Sequence, residues 1–135
     1  MPHKTDFGKR FRIWRNFPLT LLGVVLIWYL CLMPQPSVDV GLFDWFDKLV
    51  HACMYWGLCS VFWYEYFHHR LCFTRLRLLA LAVGMPILMS GLVEVAQSYL
   101  TATRSGDWWD FLANTLGVML AWGLSPLYRK LFYKL

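Results

Sequence analysis

An all-α integral membrane bundle of four helices, with both termini cytoplasmic, is the fold that this 135-residue sequence predicts, and three observations predict it. The chain is 59% hydrophobic and only 16% charged, above the roughly half-apolar composition of soluble domains. Its apolar residues come in runs of about twenty, the length that crosses a hydrocarbon core, separated by short charged stretches. Its basic residues fall almost wholly on alternate connections between those runs. One domain over residues 1–135 accommodates all of this, with no internal repeat or low-complexity tract.

The first helix is expected over about 17–33. Five basic residues, Lys4, Lys9, Arg10, Arg12 and Arg15, precede an uncharged run that ends at Pro34-Gln35-Pro36. The run is long for a signal-peptide core and no small-residue cleavage site follows, so it reads as a retained span. The second is expected over about 49–67, the third over about 78–100 with a kink at Pro86, and the fourth over about 111–127. Arg70, Arg75 and Arg77 lie between the second and third, and Arg129, Lys130 and Lys134 follow the fourth. The opposite connections hold only Lys48 and Arg104 among basic residues but carry Asp39, Asp44, Asp47, Asp107 and Asp110, which sets the orientation. Trp45, Trp108 and Trp109 on the outer side, and Tyr64, Tyr66, Tyr128 and Tyr133 on the other, are placed as interfacial anchors.

Other classes are disfavoured. A net charge of +5 could suit nucleic acid, but the basic residues flank apolar runs and form no patch with stacking aromatics, so no nucleic-acid partner is expected. Cys31, Cys53, Cys59 and Cys72 are scattered without a C-x-x-C pair and read as packing residues. His68-His69 reads as a solvated pair at the end of the second helix. No spacing assigns a metal site or a cofactor.

The remaining polar residues gather at the outer end. In Asp47-Lys48-x-x-His51 the i, i+4 spacing puts Asp47 and His51 on one helical face. Glu94-x-x-Gln97 shares a face of the third helix, and so deep a carboxylate, costing about 3 kcal/mol at mid-membrane on insertion scales, should turn inward to a partner such as Arg104, His51 or Lys48. Arg104 leads into Asp107, Asp110, Asn114 and Gly117, which share a face if the fourth helix begins near Asp107. Gly91 and Gly117, each one turn inward from Glu94 and Asn114, offer places for close helix approach. The plain alternative is an internal network that only fixes helix register.

These residues, in this order and on these helices, resemble the motif set of VanZ-like membrane proteins from about Asp47 to Gly123; the first helix matches only in character. The resemblance implies a multi-pass protein of the bacterial inner membrane and a family whose founding member is linked to low-level resistance to the glycopeptide teicoplanin. It places the family's polar signature on Asp47, Lys48, His51, Glu94, Gln97, Arg104, Asp110 and Asn114.

Three functions compete on these residues. The first is binding of a cell-envelope lipid headgroup or lipid-linked precursor by Asp47, Lys48, His51, Glu94, Gln97, Arg104, Asp107, Asp110 and Asn114, a set able to recognise phosphate, sugar or peptide groups. The second is a membrane enzyme on a lipid-linked substrate, with His51 as base oriented by Asp47, Glu94 as acid or base, or Asp47, His51, Glu94 and Asp110 around a divalent ion. No G-x-S-x-G or H-E-x-x-H motif supports it. The third is a small proton-coupled transporter using Glu94, disfavoured because no matched polar site occupies the cytoplasmic half. Membrane lipid or a lipid-linked precursor is the expected partner, with homo-oligomerisation left open.

Overall fold

A computed structural model describes residues 13–34, 43–102 and 106–133. Every regular element among them is helical: α1 (Ile13–Asn16), α2 (Pro18–Leu32), α3 (Phe43–His68), α4 (Arg75–Leu79), a π-helical turn (Ala80–Gly84), α5 (Met85–Leu100), α6 (Trp108–Gly123) and α7 (Ser125–Phe132). The four long helices alternate in direction. The first turn of α2 meets Glu65 near the end of α3, its last turn meets Gln97 near the end of α5, and the start of α6 meets Glu94 on α5. One end of the molecule therefore carries Asp47, Glu94 and Asp107, here termed the acidic end, and the other carries Arg70, Arg75 and Arg129.

The elements differ in instructive ways from the sequence expectation. α3 begins at Phe43, six residues before the expected start, so Asp47, Lys48 and His51 lie inside a regular helix rather than at its mouth. The expected kink at Pro86 takes the form of a widened turn: the Met85 N–H reaches back five residues to the Ala80 carbonyl, which accommodates a proline that has no N–H of its own and crowds the preceding turn. The final helix breaks at Leu124, and α6 and α7 meet at 51°. The helix from Arg75 to Leu100 is long and apolar enough to cross a membrane by itself. The bent pair of α6 and α7 meets the same criterion jointly, and α2 is apolar but only 15 residues long.

Polarity is arranged inside out. Leu22, Val25, Leu88, Leu92, Leu116 and Met119 face outward, while His51, Glu65, Ser90, Glu94, Gln97, Asp110 and Asn114 are buried. Lipid favours this arrangement, since apolar side chains cost nothing there and polar ones must find partners within the protein. The apolar interior is packed from Tyr55, Leu58, Cys59, Phe62, Trp63, Val93, Val118 and Ala121. Trp45, Trp108 and Trp109 are exposed at the acidic end, as interfacial anchors would be. Tyr66 and Tyr128 correct that expectation at the other end, because both are buried. The Tyr128 hydroxyl accepts from Trp56 Nε1 at 3.1 Å and lies 2.6 Å from Ser60 Oγ, which fastens α7 to α3.

The closest helix pair is α3 with α6, which run parallel. A Cβ on Gly117 would collide with the Ala52 carbonyl oxygen and lie 2.9 Å from the Trp56 amide nitrogen, so only glycine lets these backbones approach so closely. Gly91 has no such role, since a Cβ there would meet only the Phe111 ring at an ordinary 3.6 Å.

Candidate functional site

The close contact at Gly117 positions the acidic end. Asp110 lies two turns before Gly117 on α6 and is carried against the start of α3, where Asp47 and His51 project one turn apart. One donor atom from each of Asp47, His51 and Asp110 lies within 4.8 Å of the others. His51 is 1% exposed and its Nε2 stands 3.9 Å from Asp47 Oδ1. Lys48 bridges to α6, with Nζ 3.5 Å from Asp107 Oδ2 and 3.7 Å from Asp110 Oδ1. Asp107 itself caps α6, its Oδ1 accepting the Trp109 N–H at 3.1 Å, so it stands just outside the helix whose buried face carries Asp110, Asn114 and Gly117.

Glu94 joins this end from α5. Its Oε2 accepts the Asp107 N–H at 3.1 Å, and its backbone carbonyl accepts the Ser98 hydroxyl, which in turn accepts the Gly106 N–H at 2.9 Å. A Cβ on Gly106 would collide with the Glu94 carbonyl oxygen, so glycine allows the chain to return against α5. Beside this junction a groove of about 540 Å³ runs between α5 and α6. Ile87, Leu88, Leu92, Val95 and Phe111 make its walls apolar, and it ends on Glu94, Ser98 and Asp107.

Two expected site residues point elsewhere. Gln97 donates through Nε2 to the Cys31 carbonyl at 2.9 Å and so ties the last turn of α2 to α5. Asn114 is fully buried, deeper than the cluster, and donates to Ser90 Oγ at 2.9 Å. Both make the helix-to-helix hydrogen bonds of an internal network. The structure thus brings together Asp47, Lys48, His51, Asp107 and Asp110, links Glu94 to them through the Asp107 backbone, and gives Gln97 and Asn114 separate partners. Arg104, also expected here, lies outside the described residues.

Glu65 is the buried acid that sequence reasoning missed. It is 2% exposed, near the basic end of α3, and its carboxylate accepts from the Leu19 N–H at 2.8 Å, the Thr20 N–H at 3.0 Å and the Thr20 hydroxyl at 2.6 Å. The Phe17 side chain cannot cap α2, so an acid 46 residues beyond Leu19 supplies the acceptors and places negative charge at the positive end of the helix dipole. The signal was present in the sequence as a glutamate inside an apolar run.

Comparison with curated proteins and with solved structures gives no match. A family model described as VanZ/LLP1 matches residues 9–129, most of the chain and all of its described helices except the end of α7. With the polar residues of that match now placed along one bundle, the chain belongs to the VanZ/LLP1 family.

Proposed function

We propose that this protein is a multi-pass protein of the bacterial cytoplasmic membrane whose acidic end faces outward and binds the headgroup of a cell-envelope lipid or lipid-linked precursor. The observation that supports this most is the α5/α6 groove. Its walls are apolar along the helices and its end is polar at Glu94, Ser98 and Asp107, the division that an amphiphile with an acyl chain and a hydrogen-bonding headgroup would match. Lys48 pairs with Asp107 of that polar end and with Asp110, and so sets a donor beside acceptors for a larger headgroup. The orientation rests on the basic residues, eleven of the thirteen being towards the two termini, on the connection after α3 or in the short helix α4. In this reading, resistance to teicoplanin arises from altered presentation of a precursor at the outer surface.

Native mass spectrometry after release from mild detergent tests the binding. A lipid adduct should persist on the wild type and be lost from Glu94→Gln at the polar end, from Val95→Trp in the groove, and from Arg104→Ala. A wild-type protein that emerges bare would overturn the proposal and favour an internal structural network. Orientation is checked separately: in intact cells, Asp107→Cys should react with a membrane-impermeant maleimide from outside. Labelling only after the cytoplasmic face is opened would reverse the topology and remove the outward-facing site.

A further inference from the structure

We infer that Asp47, His51 and Asp110 form a binding site for one divalent transition-metal ion. Donor atoms of these three side chains already lie within 4.8 Å of one another, so small rotamer changes suffice to converge them on one ion at the ~2 Å bond lengths of such ligands. The three come from two helices whose relative position is fixed by the glycine contact at Gly117, which makes the arrangement a property of the fold rather than of a loose surface.

The second observation is unused hydrogen-bonding capacity in a buried setting. His51 is 1% exposed and its Nδ1 meets no hydrogen-bond partner, and Asp110 is 8% exposed with an Oδ1 that accepts no hydrogen bond. Buried polar atoms are ordinarily satisfied, and leaving one unsatisfied costs about 1–3 kcal/mol. An ion among the three residues takes one ring nitrogen of His51 and offers Asp110 Oδ1 a closer partner than the Lys48 ammonium 3.7 Å away. One imidazole nitrogen with two carboxylate oxygens suits zinc or manganese better than magnesium or calcium, which prefer oxygen ligands alone. Three protein donors also leave a coordination position open to an outside oxygen.

That position bears on the headgroup reading, although the ion site stands without it. Among the described residues of the acidic end, the carboxylates of Asp47, Glu94, Asp107 and Asp110 surround a single lysine, Lys48, so a phosphate arriving alone meets net negative charge. A bound divalent ion reverses the local balance and offers the phosphate a direct ligand. Lys48, with Nζ 3.7 Å from Asp110 Oδ1, is then a competitor for the same carboxylate as well as a neighbour of the headgroup.

The experiment is equilibrium binding of zinc, manganese and magnesium chlorides to the metal-stripped full chain in detergent, without added lipid. Wild type should bind one zinc or manganese ion per chain, with magnesium weaker. His51→Ala and Asp110→Asn should weaken zinc at least about tenfold, since changes even to outer neighbours of metal ligands cost that much. Lys48→Met should bind zinc more tightly than wild type, and Asp107→Asn should change affinity less than about threefold, because it removes an equal charge that is not a ligand. If the ligand variants fail to fold, cobalt titration of wild type decides: visible d–d absorption saturating at one equivalent supports the site, and its absence overturns it. Absence of ion binding to wild type, or equal weakening by Asp107→Asn and Asp110→Asn, likewise overturns the assignment. Zinc binding with no lipid adduct would leave the site standing and sink the headgroup reading, whereas a lipid adduct without zinc would do the reverse.

Discussion

Gly117→Leu is expected to destabilise the protein by about 3 kcal/mol or more, at the upper end of the cost of overpacking a well-packed core. The obstacle is backbone: a Cβ at position 117 collides with the Ala52 carbonyl and crowds the Trp56 amide, and neither can rotate away as a side chain could. The helices α3 and α6 must separate to relieve it. That separation draws Asp110 from Asp47 and His51, and it disturbs the hydroxyl of Tyr128 where it meets Trp56 and Ser60. Gly57→Ala on the same α3 is the matched control, since nothing lies within 4 Å of the new methyl and the helix should gain up to about 1 kcal/mol from the better helix former. Thermal unfolding in detergent reads both. Equal melting temperatures for the two variants would dismiss close backbone approach as the feature that joins these helices.

A second large effect is expected at Glu65. Truncation to alanine removes all three hydrogen bonds that the first turn of α2 and Thr20 direct at the carboxylate, and charge-assisted bonds of this kind contribute about 1.5–3 kcal/mol each before water replaces part of the loss. A net cost of about 3 kcal/mol follows. Glu65→Gln keeps one oxygen acceptor and the shape, and its loss should be roughly half as large. Limited proteolysis near residue 17 together with thermal unfolding distinguishes the two. If alanine and glutamine behave alike and like wild type, the cap contributes nothing and α2 is held by packing alone.

Much of the arrangement at the acidic end was legible because it depends on local periodicity. The i, i+4 spacing of Asp47 and His51, and the phase of Asp110, Asn114 and Gly117, determine which faces they share without knowledge of any other helix. Gln97 and Glu65 were not legible in this way. Each reaches a main-chain group of α2, the Cys31 carbonyl in one case and the Leu19 and Thr20 amides in the other, and backbone acceptors and donors leave no mark on residue type. The start of the second helix was placed too late, at about residue 49, because charge was taken for a boundary: α3 continues outward through Asp47 and Lys48 to Phe43, with Lys48 paired to Asp107 and Asp110 and Asp47 facing His51 on its own helix. The break at Leu124 was missed because Leu124-Ser125-Pro126 follows an apolar run directly, and a proline at the start of α7 is equally compatible with a helix that bends and one that stops.

The pair of contacts that hold α2 has a consequence for synthesis. A ribosome delivers α2 well before either of its clasps exists: the acceptor for its first turn arrives with residue 65 and the donor for its last with residue 97. A nascent chain released at residue 60 would contain the whole of α2 but neither clasp, and the peptide groups at its two ends would need other partners. Both ends of α2 are thus secured only after α5 has been made, and this part of the bundle closes backward, from the third long helix onto the first.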